Sequence, residues 1–329
     1  MRAGRRDDGS GHGRGQGQGG DQDLAEGRAA KPEQCQGPGE AGQSCLLLCY
    51  RRKCRRVSNP NPTRHLRAPG VGALPTEAVN PRTAGLDRMS IPALLRALQR
   101  EDAAVAPAVR RALPQLAAVL ARLLPRFEAG GRLIYIGAGT SGRMGALDAA
   151  EVPPTFGVAP GRVRAVIAGG AAALRRSVEG AEDDARAARR DLAKLRLDPR
   201  DTVVGIAASG RTPYTVAALA YARDRGCLTV ALASVPGSPL AAAAELAIEP
   251  LTGAEAIAGS TRLKAGSAQK MALNLLSTAL MVRTGRVAGN LMAHVQPTNA
   301  KLRDRAARIR RQLAADGSAK RPGATRRKP

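Results

Sequence analysis

Three short polar stretches carry the residue types that grip an anion. Gly137-Ala138-Gly139-Thr140-Ser141-Gly142 follows the apolar run Arg132–Ile136, and Ser209-Gly210-Arg211-Thr212 follows Asp201–Ala207. Gly259–Ser267, with Ser260 and Lys264 inside it, precedes a helical pattern. Backbone N–H groups at a helix start, reinforced by hydroxyls, are the donors a phosphate needs. The first stretch also matches the G-x-G-x-x-G dinucleotide fingerprint, which wants an acidic residue about 20 positions later for the ribose. The next strand pattern ends instead in Ala168-Gly169-Gly170-Ala171, without a carboxylate. A P-loop is excluded because Arg143-Met144 stands where Lys-Ser/Thr is required. What remains is an anion cradle built from Gly139, Thr140, Ser141 and Gly142. Ser209, Gly210, Arg211 and Thr212 repeat it, with two hydroxyls and a guanidinium for one phosphate and a sugar hydroxyl. Either turn alone fits a plain left-handed turn with an N-cap; two at equivalent places in one sheet favour a phosphorylated sugar. Lys264 is either a cation for phosphate or a developing oxyanion, or a solvated lysine at a helix start.

The elements around these turns alternate. Runs at Arg132–Ile136, Val163–Ala168, Asp201–Ala207, Cys227–Ala233 and Glu245–Glu249 read as five short strands, the first of them buried. Helical patterns separate or flank them: one opened by Ser90-Ile91-Pro92, one over about 106–127 with Leu113, Leu116, Val119, Leu120, Leu123 and Leu124 on a face, a charged one over about 171–195, one over about 213–224 and one over about 264–284. Strands spaced by helices imply an α/β fold, a doubly wound parallel five-stranded sheet flanked by helices. Ligands in such sheets lie beyond the carboxyl ends of the strands, where the polar turns fall. Apolar residues make up 43% of the 329, yet only two Phe, four Tyr and no Trp are present, so the core must be Ala, Leu, Val and Ile.

The net charge of +25 is unevenly spread. Residues 1–75 carry 13 basic and 7 acidic side chains, and residues 301–329 carry 11 and 2, leaving 28 and 18 for the middle. Gly-, Pro- and Arg-rich ends of this kind are expected to be disordered extensions, 1–75 and 315–329, around a domain at 76–314. Basic tails alone are a weak sign of nucleic acid, which is not expected as a partner. No apolar run reaches the about 20 residues that span a membrane, and no secretory signal is visible. Cys35, Cys45, Cys49 and Cys54 lack the paired spacing of a zinc site, and His12, His65 and His294 form no cluster, so no metal is expected. Cys227 reads as a buried thiol on a strand, and the compartment as reducing and cytoplasmic.

The chain resembles the N-acetylmuramic acid 6-phosphate etherases of the sugar isomerase (SIS) superfamily. The resemblance lies in residues 131–158 (GRLIYIGAGTSGRMGALDAAEVPPTFGV), 177–184 (SVEGAEDD), 203–214 (VVGIAASGRTPY), 260–278 (STRLKAGSAQKMALNLLST) and 290–302 (NLMAHVQPTNAKL), with Thr76–Pro81 like the family's N-terminal signature. It covers about 76–314. It implies removal of D-lactate from the C3 ether of a phosphorylated amino sugar, no cofactor, and a homodimer with sites near the subunit interface. Matched to the motifs, Glu151 is the acid for the lactyl ether and Glu182 the second catalytic carboxylate, plausibly the base. Pro153-Pro154 would set Glu151 on a stiff, apolar turn that raises its pKa. Glu182, beside Glu179, Asp183 and Asp184, looks merely solvated by composition. The chain departs from the family at Val152, where Cys is usual, at Ala171, where Glu is usual, and in ending its helical C-terminal part early. A non-catalytic sugar-phosphate sensor is the alternative; retention of both Glu151 and Glu182 argues against it.

Overall fold

The computed structural model describes residues 74–297 and 299–315. The expectations about Cys35, Cys45, Cys49 and Cys54, and about the extensions apart from residues 74, 75 and 315, lie outside them. Five strands form one parallel sheet: β1 (Leu133–Gly137), β2 (Val163–Ile167), β3 (Thr202–Ile206), β4 (Leu228–Leu232) and β5 (Leu246–Ile248), in the order β2-β1-β3-β4-β5. All residues of β1, β3 and β4 are buried, as a sheet covered on both faces requires, so they read as near-continuous apolar runs.

Side-chain alternation along β1 divides the core into two layers. Leu133 and Tyr135 join Val204, Ile206 and Val230 beneath α3 (Leu113–Glu128), α4 (Gly139–Phe156) and α8 (Lys264–Arg283). Ile134 and Ile136 join Val203 and Ala231 beneath α5 (Ala185–Ala193) and α6 (Pro213–Arg223), through Leu192, Ala218, Leu219 and Ala222. Before the sheet come α1 (Ile91–Asp102) and α2 (Val105–Arg111); α7 (Pro239–Ala243) lies between β4 and β5, and α9 (Ala300–Ala315) closes the described chain.

Two helices differ from the sequence reading. The pattern over 106–127 is two helices broken at Ala112, because Pro114 at the start of α3 has no N–H for an i−4 carbonyl and its ring crowds that turn. The charged stretch over 171–195 is helical only at Ala185–Ala193, after a 3₁₀ turn at Gly170–Leu174. Gly180 takes φ +70°, and the Asp184 carboxylate accepts from the Ala187 N–H, starting α5 late.

Candidate functional site

Both hydroxyl-bearing turns stand at the carboxyl ends of adjacent strands. Gly139–Gly142 follows β1 and Ser209–Thr212 follows β3, which pairs with β1 in register from Leu133↔Thr202 to Gly137↔Ile206. The chain leaves β1 toward β2 on one side and meets β3 on the other, so this is the point where strand order reverses and a crevice opens. Gly139 takes φ +50° and has open space where a Cβ would project. Gly142 is needed for the opposite reason: a Cβ there would lie 2.6 Å from Ile167 Cγ1 and 2.7 Å from the Gly137 carbonyl oxygen. The first turn of α4 therefore packs directly on the sheet, with its N–H groups at the crevice. In the second turn the Arg211 N–H donates to Ser209 Oγ at 3.3 Å, and Gly210 takes φ +65°.

Glu182 belongs with this second turn. Its carbonyl accepts the Tyr214 N–H at 3.0 Å, tying it to the first turn of α6, two residues past Thr212. The Tyr214 hydroxyl in turn donates to Asp191 on α5 at 2.9 Å. From the other side, Arg143 in α4 donates to the Ala173 and Arg176 carbonyls and holds the stretch that leads to Glu179 and Glu182. The Glu182 side chain is exposed. A loop that looked merely acidic is thus clamped between the two turns.

Glu151 is placed differently from the sequence reading. Pro153 and Pro154 lie inside α4 rather than in a turn, and Glu151 is an exposed residue of that helix. Twelve residues separate it from Gly139, a rise of about 18 Å, so it is not brought to the turns of its own chain. One turn before it, buried Asp148 accepts from Tyr135 at 2.8 Å and from Ser277 on α8 at 3.0 Å. Burial pushes the Asp148 carboxyl up, against those two bonds and the charge of Lys270. Val152, where the family usually has Cys, is buried in the core with Phe156, so that departure concerns packing.

The third stretch does not offer a free cation. Lys264 is buried, and its ammonium pairs with Glu101 on α1 at 2.7 Å. Its solvated reading is therefore overturned, and its charge is committed. The N-terminus of α8 is occupied as well: the buried Glu255 carboxylate accepts the Lys264 and Ala265 N–H groups at 2.8 and 2.9 Å. Burial raises the Glu255 pKa, and those two N–H groups oppose the rise. Glu101 also accepts from Asn80 at 2.8 Å and from Arg82 at 2.6 Å. Arg82 first, then Lys264 and Asn80, outweigh burial and hold Glu101 at about 2. Ser260 is half-buried in the turn just before, where its carbonyl accepts the Leu263 N–H. Neither Glu101 nor Glu255 could be singled out by spacing, since each partner lies far off or in an aperiodic loop. The third stretch still adjoins the first, because a Cβ on Gly266 would lie 3.3 Å from Thr140 Cγ2.

Family models match the chain as "Glucokinase regulatory protein N-terminal SIS domain" over residues 115–223 and as "SIS domain" over residues 183–279. An N-acetylmuramic acid 6-phosphate etherase from Edwardsiella ictaluri (strain 93-146) is 54% identical over 239 residues, 73% of this chain and 80% of that protein. One from Yersinia pestis (strain Pestoides F) is 53% identical over the same length, 73% of this chain and 81% of that protein. The chain belongs to the N-acetylmuramic acid 6-phosphate etherase family. A phosphoheptose isomerase structure from Francisella tularensis aligns with TM-score 0.44 and 15% identity, over 59% of this chain and 99% of that one. Within one chain, the two turns follow adjacent strands and Glu182 is bonded through its backbone to the helix after the second turn, whereas Glu151 is exposed twelve residues along α4 from Gly139. Among the described residues no group of three His, Cys, Asp or Glu could hold a metal ion, and no helix is long and apolar enough to cross a membrane.

Proposed function

We propose that this etherase-family chain cleaves the D-lactyl ether of N-acetylmuramic acid 6-phosphate, giving N-acetylglucosamine 6-phosphate and D-lactate. The observation that carries the reading is the clamping of Glu182 against the second of two phosphate-competent turns at adjacent strand ends, in a chain 54% identical to a curated etherase. The turns Gly139–Gly142 and Ser209–Thr212 grip the phosphate and a sugar hydroxyl. In the open-chain sugar the C1 aldehyde acidifies the C2 proton. A carboxylate, Glu182 in this reading, takes that proton as the C3–O bond breaks, and a carboxylic acid protonates the departing ether oxygen. Water then adds at C3 of the unsaturated aldehyde and a proton returns to C2. D-Lactate leaves with the proton, water takes its place at C3 and no carbon changes oxidation state overall, so the reaction calls for no redox cofactor.

The acid in this reading is Glu151, supplied by a second copy of the chain. An exposed carboxyl about 18 Å along α4 from the turn lies beyond the reach of a monosaccharide phosphate held there. Leu147 on α4 and Met271, Leu275 and Val282 on the adjoining α8 are exposed apolar residues. A homodimer closing over this face would bury Glu151 and carry it to the partner's crevice. A reducing, cytoplasmic setting suits the buried Cys227, whose thiol burial pushes up to about 12. Incubating the protein with N-acetylmuramic acid 6-phosphate and assaying D-lactate tests the activity. Release is expected; binding of the sugar phosphate without release would favour the sensor.

A further inference from the structure

Gln269 is a long polar side chain with no visible purpose in its own chain. It is 1% exposed, and neither its amide nitrogen nor its amide oxygen has a hydrogen-bond partner. A buried carboxamide left unpaired is costly, and such groups call for an explanation. Its position supplies one. The helices α4 and α8 run side by side in the same direction, with Thr140 against Gly266 at one end and Asp148 bonded to Ser277 farther along. Gln269 is one turn in from Gly266, level with the first turn of α4. Helical side chains lean toward the helix N-terminus, so a side chain at 269 leans back toward the Gly266 end of α8, which Thr140 adjoins. Thr140 adjoins α8 on one side and, through Gly139, open space on the other.

We propose that Gln269 is a substrate-contacting residue that reads the 2-acetamido group of the sugar; this rests on the amino-sugar reading above. A carboxamide offers one acceptor and two donors. The acetamido group offers a carbonyl acceptor and an N–H donor, so the two amides pair reciprocally and both unpaired atoms of Gln269 are used. The phosphate does not compete for this role, because it has no donor when ionised, and the α8 N-terminus beside it is already filled by Glu255.

The test compares calorimetric binding of N-acetylglucosamine 6-phosphate and glucosamine 6-phosphate to the wild-type protein, Gln269→Leu and Gln269→Met. The wild type should favour the acetylated sugar by roughly tenfold, and both variants should lose that preference while binding glucosamine 6-phosphate as the wild type does. Their Tm should hold or rise, since an unpaired amide is replaced by an apolar group of similar size. A variant that keeps the preference, or a wild type that shows none, overturns the proposal. Lactate release is read separately. An acetyl preference that depends on Gln269 without turnover sinks only the etherase reading; turnover with a preference indifferent to Gln269 sinks only this one.

Discussion

Glu182 and Glu151 have the same chemistry and opposite settings. Glu182 is fixed through its backbone to the first turn of α6, and its side chain is exposed. Glu182→Gln should lower kcat by about 10²–10⁴, the range typical of a lost general acid or base, with N-acetylglucosamine 6-phosphate binding kept; steady-state kinetics beside calorimetry reads both. The buried pair of Glu101 and Lys264 serves the fold. Lys264→Met leaves Glu101 buried with less compensation and should cost about 3–5 kcal/mol, measured by denaturant unfolding. The pH dependence follows from the depressed Glu101. Its folded value of about 2 lies below an unfolded value of about 4.3. Its stabilising contribution is present above the unfolded value and is lost as pH falls from there through the folded value. Unfolding measured from pH 7 down to pH 2 should show the wild type losing stability in that window, and Glu101→Gln losing less of it.

Among the elements, the first turn of α4 carries the tightest constraint. The backbone of β1 and the side chain of Ile167 fill the space where a Cβ on Gly142 would go. Gly142→Ala should push α4 off the sheet, costing about 1–3 kcal/mol as overpacking does and weakening sugar-phosphate binding, seen in Tm and calorimetry together. The glycine spacing that makes this turn was visible in the sequence, as were all five strands: β1, β3 and β4 because a strand buried on both faces leaves a near-continuous apolar run, and β2 and β5 by short β-branched and apolar runs between helical patterns, although they are only partly buried. The break at Ala112 was not, since the apolar face of 106–127 continues across Pro114 and the period hides the missing N–H. Pro153 and Pro154 misled in the other direction: α4 tolerates them near its end, where burial of Val152 and Phe156 holds the helix. Lys264 was legible as a residue at a helix start. Its burial was not, because Glu101 lies 163 residues away in sequence and no local pattern reports such a partner.

At the scale of the molecule, the proposed donation of Glu151 from a second copy makes the active unit a dimer. Glu182 is bonded to the helix after the second turn, while Glu151 and Leu147 on α4 and Met271 and Leu275 on the adjoining α8 are exposed. Sedimentation should find a dimer, and Leu275→Glu should shift it toward monomer with loss of turnover. Trans donation of Glu151 has a sharper signature. Glu151→Gln and Glu182→Gln, each inactive, should recover about a quarter of wild-type activity when refolded together, because half of randomly paired two-fold dimers are mixed and each of those has one intact site. Activity that stays at the level of the separate variants would return Glu151 to its own chain or remove it from the chemistry.

The chemistry itself is read most directly by turnover of N-acetylmuramic acid 6-phosphate in D₂O. The account predicts D-lactate and N-acetylglucosamine 6-phosphate carrying deuterium at C2, since that proton leaves and is replaced from solvent. No lactate, or lactate formed with C2 unlabelled, would contradict it.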